Sequence, residues 1–593
     1  MSITKYSLPK DGGLIDGSVP KDVLSRFEKV PTEIYPNENV AVKELANHIV
    51  AEINAHQSDE ALFSLGLTTG RTPIGIYREL VARHKAGEVS FANVEVFSLD
   101  EFYPILSDAP NSRNYRIHEE FLNHIDIKDG NIHIPDCTIP MSQIQSYCEQ
   151  FEKSIRKIDL MIIGMGERGQ LGFNEAGSYF NSRTRLVPLS YGSRKTQSKS
   201  FPSFAQTPDM AITMGLSTIM RAREILLMAW GEGKAQVVSE LVEGPTTEEI
   251  PATVLHHHSN VRVVVDENAA QLLTREKTPW LVAPCEWTRK FTRKAVVWLS
   301  EKVQKPVLKL THQDYIENFL GPLLEARSAT NYDINIEVFN DLQHTITGWP
   351  GGKPNADDST RPVKSTPFPK RVLIFSPHPD DDVISMGGTF IRLVSQGHDV
   401  HVAYETSGNY AVHDDVVLQQ LDTARELGFN VDVDHIRDLI STKLPGAPEP
   451  MELRSIKAAI RRGESRAAVR NFGLNADTNT HFLNLPFYET GTEKKNELSE
   501  HDINIISDLM EQIQPNQIYL AGDLSDPHGT HRICTEAVLE AFDRAVYNGD
   551  QWTHDCHLWL YRGAWQEWDL GRVDMAVPLS PREQLKKRHA IYK

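Results

Sequence analysis

The sequence predicts an α/β protein of two doubly wound domains with mainly parallel sheets, joined by a Pro/Gly-rich linker. Three observations carry this. At 593 residues the chain is too long for one hydrophobic core. Short, fully apolar runs of strand length alternate with helix-length periodic segments, the pattern of parallel strands covered on both faces. One stretch, GWPGGKPNADDSTRPVKSTPFPK (348–370), is too rich in Pro, Gly, Ser and Asp to support a packed element and reads as a linker.

In the first half the strand-length runs are ALFSLGL (61–67), VEVFSLD (94–100), IDLMIIGMG (158–166), AITMGL (211–216), EILLMAWG (224–231) and VRVVVDE (261–267). In the second they are RVLIFS (371–376), DVHVAYET (399–406), HFLNL (481–485) and QIYLAGD (517–523). The segment 271–347, with WTRKFTRKAVVWLSEKV, reads as helical and is assigned to the first domain. The expected boundaries are therefore 1–347, with a core at about 40–270, a linker at 348–370, and a second domain at 371–593. The chain stops at LKKRHAIYK within a helical pattern, so part of the second domain's substrate wall is expected beyond Lys593.

The composition is that of a water-soluble chain, 40% hydrophobic and 24% charged. No apolar run reaches the roughly 20 residues of a membrane span, and MSITKYSLPKDGG has no signal-like apolar segment. Five cysteines without CxxC spacing argue for a reducing compartment and against a cysteine-bound zinc. A net charge of −18 disfavours nucleic acid and anionic membrane as partners. A cytoplasmic protein acting on small molecules is expected.

In the second half, RVLIFS runs into PHPDDDVISMGG (377–388), one histidine and three consecutive carboxylates at a strand end. Aspartates also cap helix starts, and that alternative stands for this motif alone. A second cluster, QIYLAGDLSDPHGTHRICTEAVLEAF, places His528 and His531 after another strand. Two histidines and a carboxylate with open positions suit catalytic zinc. The two motifs together resemble those of the PIG-L/LmbE family of zinc-dependent sugar N-deacetylases, over roughly 370–593. The resemblance implies Zn2+ held by His378, Asp381 and His531. It implies Asp380 as general base toward the attacking water, and His528 as stabiliser of the oxyanion or proton donor to the leaving amine. Two departures stand out: Asp382 where an acid with a longer side chain is usual, and Gly529–Thr530 where many relatives have Pro–Asp.

In the first half, LGLTTGRTPIGIYREL (65–80) passes from strand through a Thr/Gly turn into a helix, a geometry that suits phosphate or an ordinary turn. FSLDEFYPI gives adjacent acids Asp100 and Glu101; NSRTRLV gives Arg183 and Arg185; WGEGKAQVV gives Lys234. Together with IDLMIIGMGERGQLGFNEAGSYFNSRTRLV these pieces resemble the glucosamine-6-phosphate deaminase (isomerase) family from about 40 to 270. The 6-phosphogluconolactonases share that fold, but LDEF and GFNEAG favour the deaminase branch. The resemblance implies Asp100 as the base moving a proton between C2 and C1 of an open-chain amino sugar. It implies Thr69, Gly70, Arg71, Thr72 and Lys234 as phosphate ligands, with no cofactor. Lys199 stands where the family places a substrate-binding arginine, and Val187 where it places an effector-site lysine.

The loop GMGERGQLGFNEAG (164–177) departs from that family. Arg168–Gly169–Gln170 replaces Asp-Gly-His, while the downstream acid remains as Glu175. A histidine there opens the sugar ring by proton shuttling; Gln170 does not titrate and is expected, with Arg168, to contact the substrate instead. Arg168 is left to pair with Glu175 or with a ligand anion. Three functions follow as alternatives: a bifunctional amino-sugar enzyme, a deacetylase carrying a binding-only first domain, or two ligand-binding scaffolds. Partners expected are an amino sugar phosphate, an N-acylated amino sugar and a second copy of the chain as homo-oligomer.

Overall fold

A computed structural model describes residues 19–593 except 57–60, 202–203, 360, 362, 444–447, 493–494, 525, 527–528, 564 and the side chain of Lys199. The chain divides into two compact units, one ending at Cys285 and one running from Glu286 to Lys593. Both are α/β and Rossmann-like, as expected.

The first unit contains strands β1 (Thr32–Tyr35), β2 (Phe63–Leu67), β3 (Val94–Ser98), β4 (Asp100–Tyr103), β5 (Ile132–His133), β6 (Leu160–Gly164), β7 (Arg185–Pro188), β8 (Met210–Thr213), β9 (Glu224–Ala229) and β10 (Val261–Asp266). Seven of them form one sheet in the order β1-β10-β9-β6-β2-β3-β5. Every pairing in it is parallel. Period-2 alternation splits each strand between two cores. In β6, Leu160 and Ile162 enter the core beneath the helices Glu38–Ala55 and Ile74–Lys85, while Met161 and Ile163 enter the opposite one. Fully apolar strands follow directly from burial on both faces.

AITMGL, expected as a strand of the parallel sheet, instead forms β8 at the centre of a small antiparallel sheet, β4-β8-β7. VEVFSLD is likewise two strands rather than one. Leu99 is the joint: its N–H donates to Leu67 O in the large sheet and its carbonyl accepts from Met214 N in the small one, at 2.9 and 2.8 Å.

The second unit contains β11 (Arg371–Ser376), β12 (Asp399–Tyr404), β13 (Thr480–Phe482), β14 (Gln517–Ala521) and β15 (His557–Tyr561), parallel in the order β13-β12-β11-β14-β15. Val372 and Ile374 of β11 face one core, Leu373 and Phe375 the other.

The segment expected to extend the first domain is helical, with helices Arg289–Val303 and Asn331–Thr345 capped by Thr288 and Thr330. From Glu286 onward, however, it belongs to the second unit. The buried Arg293 explains this, its Nε donating to Gly571 O at 2.8 Å, as does the backbone bond from Thr347 N to Ala576 O at 2.9 Å. The 348–370 stretch is also not a free linker in its described part. Pro350, Gly351 and Val363 are buried, and Gln517 and Gln396 donate to Pro350 O and Gly348 O at 3.0 and 2.6 Å.

Candidate functional site

In the first unit the expected residues gather beyond the carboxyl ends of β2, β3, β6 and β9, which lie together in the sheet. The Thr68–Thr72 turn leaves β2. Tyr77, on the helix that follows, donates to Thr68 O at 2.6 Å, and Trp230, just past β9, donates to Thr72 O at 3.2 Å, so the turn is held at both ends. Thr68 Oγ1 is buried without a hydrogen-bond partner among the described residues. A Cβ on Gly70 would meet nothing within 4 Å, leaving the turn open to a ligand. Arg71 is exposed. Lys234 is half-buried with no ion-pair partner among the described residues, and burial lowers its pKa with only Glu167 opposing. Lys199 lies outside the described side chains, so its expected role has no structural counterpart here.

Asp100 opens β4 and is 2% exposed. Burial raises its pKa, and Arg113 opposes that. Arg113 Nε lies 3.1 Å from Asp100 Oδ1, and its Nη1 donates to Thr69 Oγ1 at 2.8 Å. The guanidinium sits between the rings of Phe102 and Phe173, 5.1 and 4.7 Å from their centroids. Glu101 points away from this cluster and accepts three backbone N–H groups, from Phe102, Arg113 and Asn114, at 2.8–3.0 Å. It is a structural acid.

The 164–177 loop folds over Asp100. Gly172 has φ +59°, and a Cβ there would lie 2.9 Å from Asp100 Oδ2. Asn174 is fully buried. It donates to Leu171 O and Met214 O and accepts from Arg185 at 3.0 Å. Gln170 turns back on its own loop: its Oε1 accepts from Arg168 N at 2.9 Å. The expected Arg168–Glu175 pair does not form. Glu175 instead accepts from Ser190 N at 3.1 Å, at the start of the Tyr191–Gln197 helix, and Arg168 is exposed. Arg183 is exposed, whereas Val187 lies in an apolar cluster with Phe102 and Phe173.

In the second unit β11 delivers PHPDDD and β14, its neighbour, leads to His531. His378, Asp381 and His531 each bring a donor atom within 4.8 Å of the others. Asp381 Oδ2 lies 3.3 Å from His378 Nδ1 and 3.2 Å from His531 Nε2. Burial pushes the Asp381 carboxyl up, but the two histidines outweigh it and hold it well below the usual carboxylate range. His531 is 1% exposed; its Nε2 faces the Asp381 carboxylate, and its Nδ1 has no hydrogen-bond partner among the described residues. A buried imidazole so left is costly unless something accepts its lone pair, and the donor set fits zinc.

Asp380 occupies the N-cap position of the Asp381–Ile384 turn but makes no capping bond. Its Oδ2 accepts instead from Arg461 at 3.0 Å. Asp382 is fully buried, accepts from Tyr404 at 3.1 Å, and is pushed up to about 7 by burial. It supports the turn from behind. His528 lies outside the described residues.

Residues that motif reading passed over are Arg113, Asn174, Arg461 and Asp526. Asp526 accepts from Thr530 N and His531 N at 3.0 and 3.1 Å, setting the start of the helix that carries His531. It stands three residues before the N-cap Gly529, outside the usual capping position, so the standard helix-start signal does not find it.

Two family models match these two sites. Residues 36–265 match glucosamine-6-phosphate isomerases/6-phosphogluconolactonase, and residues 373–542 match GlcNAc-PI de-N-acetylase. A putative glucosamine-6-phosphate deaminase-like protein of Bacteroides thetaiotaomicron is 47% identical over 591 residues, 98% of this chain and 89% of that protein. Glucosamine-6-phosphate deaminases of Thermoanaerobacter sp. and Bacillus subtilis (deaminase 2) are each 40% identical over 36% and 35% of this chain, covering 84% and 85% of theirs. The chain belongs to the glucosamine-6-phosphate deaminase-like family, and it carries a de-N-acetylase domain fused behind that fold.

Proposed function

We propose that the chain serves amino-sugar metabolism, with zinc-dependent N-deacetylation in the second unit and deaminase-like handling of an amino sugar phosphate in the first. The observation that carries the reading is the convergence of His378 with the buried Asp381 and His531, one Asp381 oxygen lying between the two imidazoles and His531 Nδ1 left without a partner among the described residues. Zinc bound there supplies Lewis-acid polarisation of an acyl carbonyl and of water. Asp380, beside that set and steadied by Arg461, takes the proton of the attacking water and passes it toward the leaving amine. His528 is assigned to the oxyanion. The acyl sugar and amino sugar phosphate are the partners, in a cytoplasmic homo-oligomer. Among the described residues no helix is long and apolar enough to cross a membrane.

The test is acetate release from N-acetylglucosamine and its 6-phosphate. Release should require zinc and vanish in Asp380→Asn; zinc-loaded protein that releases none from either sugar would refute the hydrolytic assignment.

In the first unit Asp100 serves as base and the Thr69–Thr72 turn with Lys234 as phosphate site, Glu175 retaining the family acid. A second reading, binding without turnover, is favoured by one observation: Gln170 is tied to its own loop and carries no proton. Removing one general acid/base costs about 10²–10⁴ in rate. Ammonia release from glucosamine 6-phosphate is expected to be far below that of an Arg168→Asp, Gln170→His variant. Equal rates would show that the loop is not what limits turnover.

A further inference from the structure

We propose that the first unit's site selects a phosphorylated α-amino sugar acid, an open-chain amino sugar 6-phosphate whose C1 is a carboxylate. The inference rests on the reading that this unit binds an amino sugar phosphate. Two independent observations carry it.

The first is Arg113. Its guanidinium stands between the Thr69–Thr72 turn and Asp100, 2.8 Å from Thr69 Oγ1 and 3.1 Å from Asp100 Oδ1. The side chain is 11% exposed and clamped by Phe102 and Phe173, so it is a fixed cation rather than a solvated one. Its Nη2 makes no hydrogen bond among the described residues and is not sealed from solvent, unlike Nε. A carboxylate and a guanidinium held side by side form a receptor for a group of the same pattern reversed, an ammonium next to a carboxylate. A 2-amino-2-deoxyaldonate has that pattern at C2 and C1. Its ammonium would meet Asp100, its carboxylate Nη2, and its phosphate the Thr69–Thr72 turn.

The second is the loop. A sugar acid has no aldehyde and forms no hemiacetal, so it needs no ring-opening proton shuttle. Gln170, anchored at 2.9 Å to Arg168 N, provides none. The loop that burdens an aldose ligand is therefore neutral for the acid.

The test titrates the full-length protein by calorimetry with 2-amino-2-deoxygluconate 6-phosphate and with 2-amino-2-deoxyglucitol 6-phosphate, which is open-chain but uncharged at C1. The acid should bind at least about tenfold tighter, the low end for a hydrogen bond to a charged group. Arg113→Gln should bring the ratio of acid to alditol affinity to within about threefold of one, and Arg113→Lys should retain part of the preference, keeping charge but losing the fork. Equal affinities in the wild type, or a preference that survives Arg113→Gln, would overturn the inference and leave the sugar-phosphate reading standing. Loss of both ligands together in Arg113→Gln would make Arg113 a structural strut and also overturn it. Binding of neither by the wild type would remove the sugar-phosphate reading itself.

Discussion

Asp381 offers a single oxygen to two histidines, Oδ2 lying 3.3 Å from His378 Nδ1 and 3.2 Å from His531 Nε2. Asp381→Asn removes the anionic donor while keeping shape. Its zinc affinity, measured by competition with a chelator, should fall by more than the roughly 10–100-fold typical of losing an outer partner. A smaller drop would place the metal elsewhere. At a distance from either site, Glu28 provides a pH signature. Its side chain is 3% exposed and 2.9 Å from Arg275 Nε, and burial nevertheless raises its pKa from 4.5 to about 7. The folded state thus keeps a proton that the unfolded chain releases, so this contribution is complete below 4.5 and is lost as pH rises through about 7. Glu28→Gln should therefore gain stability relative to wild type as pH increases across that window, by about 1.4 kcal/mol per unit at most. Denaturation midpoints at several pH values check it; parallel curves would contradict it. The convergence of His378, Asp381 and His531 was legible because each residue sits in a short motif next to an apolar run. Arg113 and Arg461 were not. Their meaning comes from partners far along the chain, Thr69 and Asp380, and a lone arginine in a helix reads as a solvated face.

The helix Thr530–Asn548 begins where Asp526 accepts the N–H groups of Thr530 and His531. Asp526→Ala leaves those donors unpaired and should cost about 0.5–2 kcal/mol in urea unfolding. It should also loosen His531, so zinc affinity falls with stability; a loss of stability with unchanged zinc affinity would separate the cap from the metal centre. The loop over Asp100 has its own weak point. Ala at Gly172 combines φ +59° with a Cβ 2.8 Å from Leu99 Cδ2, so the loop must shift and sugar-phosphate binding, read by calorimetry, should weaken. Unchanged affinity would show that the loop does not close this site. The elements themselves were read well where strands are fully apolar, as in Phe63–Leu67 and Gln517–Ala521. The small antiparallel sheet was not foreseen. AITM has the same apolar signature as a parallel strand, and only the hinge at Leu99 and the cross-strand row Asp100–Thr213–Arg185 decide where it pairs.

Each unit buries two apolar cores, one on either face of its own parallel sheet, so each is expected to unfold as a cooperative body. If zinc occupies the proposed site, a chelator should lower one thermal transition and leave the other in place. A ligand at about 100 times its Kd stabilises by about 2.7 kcal/mol, enough to resolve by calorimetry. Two transitions shifted together would mean that the units do not melt separately. Composition alone placed the seam in the Pro/Gly-rich 348–370 stretch, and physically it does not lie there. Low-propensity chain is not the same as unpacked chain: Pro350 and Gly351 are buried, and Arg293 reaches Gly571 across 278 positions. That long reach bears on ancestry and on transplantation. If the fusion arose by joining two genes, the compact unit to transplant starts at Glu286 rather than at Arg371. A graft of the second unit cut at its first strand would leave behind the helix that holds its tail.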